Sequence, residues 1–172
     1  MINITLLDDQ YDKREITHTR YISRGVVLDE NNNVAVLHLI RDDIFGKYDY
    51  FELPGGGIDE NETPEDGAIR EVHEELGVIS HIVTKLGVVE DFYNLIKRRN
   101  MNHYYLLKVD RKANQHLEEY ETIMLMDIRW VSIDKAIELF VTMPDDGVSL
   151  LVKRRELPIL IEASKIIKGL DF

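Results

Sequence analysis

Ile2, Ile4 and Leu6 alternate with polar residues in the manner of a short strand, which gives residues 1–17 a structural or dimer-contact role. Tyr21 to Leu28 and Val34 to Ile40 are apolar, β-prone runs, and the turn-rich Asp29-Glu30-Asn31-Asn32-Asn33 between them predicts a hairpin. Arg41 to Asp49 is polar with one glycine and is expected to be a loop; Tyr50 to Leu53 is a short β-prone segment. The pattern then changes period. Ile69, Val72 and Leu76 fall on one side of a helix, while Glu71, Glu74 and Glu75 share roughly the opposite side. Thr63 as N-cap, Pro64 in the first turn, Asp66 at the third helical position and Gly77 as C-cap mark its ends.

Beyond this helix, Val78 to Phe92 and Met101 to Val109 are two long β-rich runs separated by Tyr93-Asn94-Leu95-Ile96-Lys97-Arg98-Arg99-Asn100. Arg111 to Thr122 reads as a polar loop, and Ile128 to Val131 as a short strand. Ser132 caps a helix over 133–140, and Asp145-Asp146-Gly147 breaks the chain. Val148 to Glu156 and Pro158 to Lys168 are expected to be two helical pieces, with Pro158 starting the second. Helices before and after closely linked strands imply an α/β fold with a mixed sheet covered on both faces. Residues 1–172 are expected to form one domain.

The composition narrows the chemistry. The 172 residues include no cysteine, which excludes thiolate metal sites, thiol nucleophiles and disulfides, and is the pattern of a cytoplasmic protein. No basic segment followed by an apolar stretch opens the chain, and no apolar run reaches the ~18 residues of a membrane span. A formal net charge of −11 argues against general nucleic-acid binding, which depends on neutralising phosphates with Lys and Arg. If the substrate is a polyphosphate, a cation has to bridge two negative partners.

The acidic helix face fits that requirement. Carboxylates at i, i+3 and i+4 repel one another by about 0.2–0.5 kcal/mol per pair, and two of these three stand in the last turn, where the helix dipole disfavours them. Mg²⁺, or Mn²⁺ in its place, reverses the sign of those contributions. A solvated acidic face is the competing reading, favoured by the chain's acidity alone. The glycine run Gly55-Gly56-Gly57 just before the helix permits a close backbone approach, enough for a carbonyl to reach a cation. Arg41 and Lys47, and the run Lys97, Arg98, Arg99 beside Tyr93, are candidate phosphate or nucleobase contacts, with solvated charge as the alternative.

Gly56, Glu62, Arg70, Glu71, Glu74, Glu75 and Gly77, with the aliphatic Val72 and Val78, fit G-x5-E-x7-R-E-U-x-E-E-x-G-U at every fixed position, U being a bulky aliphatic residue. On this motif the chain resembles the Nudix hydrolases. The resemblance implies an α/β/α sandwich and Mg²⁺- or Mn²⁺-dependent attack of water on the pyrophosphate bond of a nucleoside diphosphate linked to another group: a nucleoside triphosphate, a dinucleoside polyphosphate or a nucleotide sugar. It assigns Glu74 and Glu75 as metal ligands and Glu71 as a third ligand or the general base. Arg70 orients the catalytic carboxylate, Gly55 lends a carbonyl to the metal, and Glu62, with Gly56 and Gly77, supports the loop and helix. Relatives often add an acid from outside the motif, for which Glu118, Glu119, Glu121 and Asp127 are the candidates. Family members acting on ADP-ribose tend to carry a proline about fifteen residues after the motif; Tyr93-Asn94-Leu95 stands in that neighbourhood here. The alternative activity class is a catalytically silent nucleotide-sensing module on the same fold, which usually loses motif glutamates that this chain keeps.

Overall fold

A computed structural model of the chain describes residues 1–169. Its strands are β1 (Ile2–Leu6), β2 (His18–Leu28), β3 (Val34–Asp43), β4 (Gly46–Glu52), β5 (Gly55–Gly57), β6 (Val78–Tyr93), β7 (Arg98–Lys112) and β8 (Leu125–Val131). Its helices are α1 (Pro64–Leu76), α2 (Glu119–Met124), α3 (Ile133–Val141) and α4 (Gly147–Gly169).

The sheet is mixed, as the pattern predicts. β6 lies between β1, which it pairs in parallel, and β7, which it pairs antiparallel; β7 then runs parallel to β2. β3 is flanked by β4 and β8, both antiparallel. The predicted β2–β3 hairpin forms only at its root. Leu28 and Val34 are partners, and the strands then part because β2 continues against β5 and β7 while β3 continues against β4 and β8. Side chains of both diverging strands, Arg20 and Arg24 of β2 and Leu37, Leu39 and Arg41 of β3, line one cavity.

Strand alternation divides the core. Val26, Tyr104 and Leu106 point into a cluster with Phe140, Leu151, Ile159 and Leu160 from α3 and α4, while Val27, Tyr105 and Leu107 meet Ala68 and Val72 of α1 on the other face. Helices therefore cover both faces, the expected α/β/α sandwich.

Three expectations need correction. Arg41–Asp49 is a tight hairpin rather than a loop, with Asp43 paired to Gly46 across Ile44-Phe45, and the buried Phe45 ring packs edge-on to Tyr11 and Tyr93. The region read as a polar loop over 111–122 contains the end of β7 and the start of α2, a helix of 6 residues and hence too short to show an apolar period. Finally, α4 runs 23 residues without a break although Pro158 lies inside it. The ring removes one backbone donor, but Leu151 and Val152 before it and Ile159, Leu160 and Ala163 after it bury against the same core. Among the described residues, no helix is long and apolar enough to cross a membrane.

Candidate active site

The ends of α1 are fixed as the sequence predicts. Thr63 Oγ1 accepts the Asp66 N–H at 3.1 Å, and Gly77 takes the left-handed conformation at φ 66° with its N–H on the His73 carbonyl. The last turn, where negative charge is disfavoured, is covered by the segment after β7. His116 N–H reaches the Glu74 carbonyl at 2.7 Å and Gln115 Nε2 the Glu75 carbonyl at 2.6 Å, so carbonyls left without helical partners are satisfied.

Arg70 organises the acidic face. Its Nε and Nη2 grip Glu62 at 2.8 and 3.0 Å, Nη2 also meets the Gly57 carbonyl at 2.9 Å, and Nη1 reaches Glu71 at 2.9 Å and Glu74 at 3.3 Å. These bonds occupy all the donors that a guanidinium has. The Arg70 bond holds the Glu62 carboxyl below the usual range, and Glu62 in turn accepts the Asp59 N–H at 2.9 Å, closing the glycine loop onto the helix.

Glu75 is 4% exposed and has no ion pair among the described residues; its Oε1 accepts the Gly55 N–H at 2.7 Å. Burial, followed by the charge of Glu121, pushes its carboxyl well above the usual range. Glu71 is raised by burial and by Glu74 and Glu121, against the pull of Arg70. Glu121 is raised by burial and then by Glu118 and Glu74, while its carboxylate accepts the Glu118 N–H at 2.9 Å. Of the four acids considered outside the motif, Glu121 is the one brought into the cluster. Asp127 lies against His38 and Arg129, whereas Glu118 and Glu119 are exposed.

This arrangement is short of positive charge. Hard carboxylate oxygens beside a backbone loop suit Mg²⁺ or Mn²⁺, and Glu71, Glu74, Glu75 and Glu121, with Gly55, are the groups that would hold the ion. The glycines make room for them. A Cβ on Gly56 would lie 2.6 Å from the Glu71 carboxyl carbon, and one on Gly55 would strike the Ser23 carbonyl. Among the described residues, no three acidic or histidine side chains form a ready-made cation cage; Arg70 Nη1 holds Glu71 and Glu74 instead.

A cavity of about 140 Å³ opens beside these acids. Gly55, Gly56, Glu75 and Glu121 line it, with Arg20, Arg24, Arg41 and Arg98, the rings of Tyr50 and Tyr93, and apolar residues that include Leu37 and Leu39. Arg41, Arg98 and Tyr93, candidates from the sequence, line this cavity. Lys97 and Arg99 do not line it. Lys97 is exposed at the β6–β7 tip, and Arg99, on the opposite strand face from Arg98, is held by Glu90 at 2.6 Å. Lys47 is likewise exposed.

Arg20, Arg24, Tyr50 and Glu52 were not singled out from sequence. The available signal was two arginines four apart in a β-prone run, on one face of the strand. At the cavity wall Glu52 forms ion pairs with Arg24 at 3.0 Å and Arg155 at 2.7 Å. Burial alone would raise the Glu52 carboxyl, but Arg24, Arg155 and Arg41 together hold it below the usual range. Arg155 also donates to the Tyr93 hydroxyl at 2.7 Å, which fixes the ring that forms part of the cavity wall.

Several known proteins resemble the chain. It is 36% identical over 67 residues to an 8-oxo-dGTP diphosphatase of Proteus vulgaris, covering 39% of this chain and 54% of that protein. To an RNA pyrophosphohydrolase of Psychrobacter sp. (strain PRwf-1) it is 35% identical over 83 residues, covering 41% and 48%. The matches span about half the length of these relatives. A NUDIX hydrolase from Nitrosomonas europaea shares the fold, with a TM-score of 0.62 at 14% identity over 89% of this chain and 96% of that one. The model of the NUDIX domain matches residues 19–155, a span that holds the glycine loop, all of α1 and the cavity arginines, and the chain belongs to the NUDIX family.

Proposed function

We propose that the chain is a divalent-cation-dependent pyrophosphohydrolase that cleaves a phosphoanhydride bond of a nucleoside-diphosphate-type substrate, with residues 1–172 acting as one catalytic unit. The observation that carries this reading is the buried Glu75 carboxylate, which has no ion pair among the described residues and stands beside Glu71, Glu74 and Glu121 at the edge of a cavity lined by arginines. Two relatives, an 8-oxo-dGTP diphosphatase and an RNA pyrophosphohydrolase, carry names of the same reaction class.

A bound Mg²⁺ or Mn²⁺ supplies charge neutralisation at the diphosphate and lowers the pKa of an attacking water. The protein's own groups do the rest. Glu75, tied to Gly55, and Glu74 are suited to hold the ion, and Arg70 keeps Glu71 and Glu74 in place through its fixed fork. Glu71 and Glu121, whose carboxyls burial raises, are suited either to complete the ion's ligands or to take the water's proton as the new P–O bond forms and the bridging P–O bond breaks. The arginines opposite stabilise phosphate oxygens through charge-assisted hydrogen bonds.

The test is a hydrolysis screen with Mg²⁺ and Mn²⁺ over ADP-ribose, nucleotide sugars, dinucleoside polyphosphates, and normal and oxidised nucleoside triphosphates. Turnover that EDTA abolishes, and that Glu74→Gln and Glu75→Gln each reduce by about 10²-fold or more, is expected for groups acting on the transition state. Affinity for these compounds without hydrolysis under any divalent ion would show a sensing module instead.

A further inference from the structure

Four arginines lining one cavity are unusual in a chain of net charge −11, and they are not equivalent. Arg24 is neutralised by Glu52 at 3.0 Å and donates to the Leu53 carbonyl at 3.2 Å. Arg41 pairs with Asp43 at 2.8 Å and lies over the Phe45 ring. Arg20 and Arg98 have no ion pair among the described residues. Arg98 sits over the Tyr93 ring at 5.3 Å, with its Nε buried and, like that of Arg24, without a hydrogen-bond partner.

Strand register sets these two side by side. In the parallel β2–β7 pair, His18 faces Arg98 and Arg20 faces Asn100. Arg20 shares the parity of Val26, and Arg98 that of Tyr104, so both project to the face on which those residues build the α3/α4 core. Burial and the charge of Arg20 push Arg98 down to about 10. Two half-buried guanidinium groups that repel each other, one with an unpartnered buried nitrogen, lower stability unless an anion joins them.

We infer that Arg20 and Arg98 seat a phosphate of the substrate beyond the two that flank the cleaved bond, so that compounds carrying a further phosphate are selected over nucleotide sugars. This rests on the pyrophosphohydrolase reading and extends it to the substrate class. The guanidinium fork matches the geometry of phosphate oxygens. The volume, about 140 Å³, is below the ~300–1,000 Å³ of pockets that enclose a whole ligand, and so fits one group of a substrate lying across the open mouth. Position agrees as well. Arg20 lies within electrostatic reach of Glu121, and its Nη2 would be 3.3 Å from a Cβ on Gly57, so the seat adjoins the acids that handle the diphosphate.

The test compares the wild type with Arg20→Gln/Arg98→Gln and, to keep the charge while removing the fork, with Arg20→Lys/Arg98→Lys. Unfolding midpoints come first, and the Gln pair is expected to fold with an unchanged or raised Tm because a repulsion is relieved. With Mg²⁺, the ratio of kcat/KM for a nucleoside triphosphate to that for a nucleotide sugar of the same base is expected to exceed about tenfold in the wild type. It should fall by about tenfold or more in the Gln pair, through KM. Equal losses on both substrates would mean that the arginines touch only the shared diphosphate, and would overturn the inference. In EDTA, calorimetry with inorganic tripolyphosphate and pyrophosphate reads the seat without turnover. The expected result is tighter binding of tripolyphosphate, lost in the Gln pair and kept in Glu75→Gln; equal binding of the two anions, or binding that survives in the Gln pair, overturns the seat. A wild type that hydrolyses nothing yet shows this arginine-dependent binding would remove the hydrolase reading and leave the seat standing.

Discussion

Arg70 holds Glu62 through two parallel bonds, from Nε at 2.8 Å and Nη2 at 3.0 Å, and the rigidity of that fork places Nη1 where it meets Glu71 and Glu74. A lysine keeps the charge but not the geometry, since a single ammonium cannot span two carboxylate oxygens, a carbonyl and two further acids. Arg70→Lys is expected to lower kcat roughly 10–100-fold with little change in KM, because the loss is one of positioning. With its side chain 27% exposed, screening limits the stability loss to about 1–2 kcal/mol. Steady-state kinetics beside urea unfolding check both numbers. An unchanged kcat would mean that Arg70 only supports the fold.

Glu75 is the reverse case, a carboxylate that the cation-free protein would be more stable without. Gln at this position can still accept the Gly55 N–H, while the buried charge disappears. In the absence of divalent ions, Glu75→Gln should raise stability by about 1–3 kcal/mol, the usual cost of leaving a buried group unsatisfied, or about 2–12 °C in Tm. Mg²⁺ should raise the Tm of the wild type and not that of the variant. Calorimetry with and without EDTA decides, and a lowered metal-free Tm would count against the cation site.

The same substitution has a pH signature. Glu75 has its carboxyl raised in the folded state above the 4.5 of an unperturbed glutamate. Its contribution is therefore fully present below 4.5 and is lost as pH rises through the folded value. Glu62, lowered by Arg70, acts oppositely: its contribution is present above 4.5 and lost as pH falls through its folded value. Glu62 is common to both proteins and cancels in the difference. The Tm of Glu75→Gln minus that of the wild type should be near zero at about pH 4 and grow towards about pH 8. A flat difference across that range would show that Glu75 is not held against a raised proton affinity.

What could be read from sequence in this molecule was what is local. Thr63, Pro64 and Gly77 bound α1 because caps act within one turn, and the acids of its face follow from helical spacing. The cavity's other wall depends on Arg20 lying beside Arg98, which needs the parallel pairing of β2 with β7, strands that have β3 to β6 and α1 between them in the chain. No local pattern encodes that register. The same reason hid the role of α2, where a polar segment of 6 residues matters because it carries Glu121 to α1. At Pro158 the local rule is real but is overridden by the apolar residues that both halves of α4 bury.

Gly56 separates a steric requirement of the site from one of the fold. A methyl group there would lie 2.6 Å from the Glu71 carboxyl carbon and meet no backbone at that range, so the side chain has to swing off Arg70 Nη1. Gly56→Ala should fold, losing about 1 kcal/mol or less as for an ordinary mild substitution, while kcat falls roughly 10–100-fold from misplacement of Glu71. Gly55→Ala meets the Ser23 carbonyl and the Arg24 backbone instead, and should lose the folded state itself. Circular dichroism with turnover assays on the pair checks this, and an active Gly56→Ala would free Glu71 from any role that depends on its position.

Arg155 ties α4 to the floor of the cavity. It is 1% exposed and contacts Glu52 at 2.7 Å, the Tyr93 hydroxyl at 2.7 Å and Asp91 at 3.4 Å. Met fills similar volume but leaves those acids buried with one cation fewer, which costs about 3–5 kcal/mol when one partner of a buried pair is removed. In a chain of this size that lowers Tm by about 6–20 °C. Removing the Glu52 charge as well should restore part of the loss, since Glu52 and Arg155 share a bond. A double-mutant cycle with Arg155→Met and Glu52→Gln is expected to give a coupling of about 1–3 kcal/mol, the range for residues in one network. Arg24 then decides how complete the restoration is, because Glu52→Gln deprives it of its ion pair within the same cavity wall. Strict additivity of the two substitutions in urea unfolding would mean that Arg155 and Glu52 do not act as a unit.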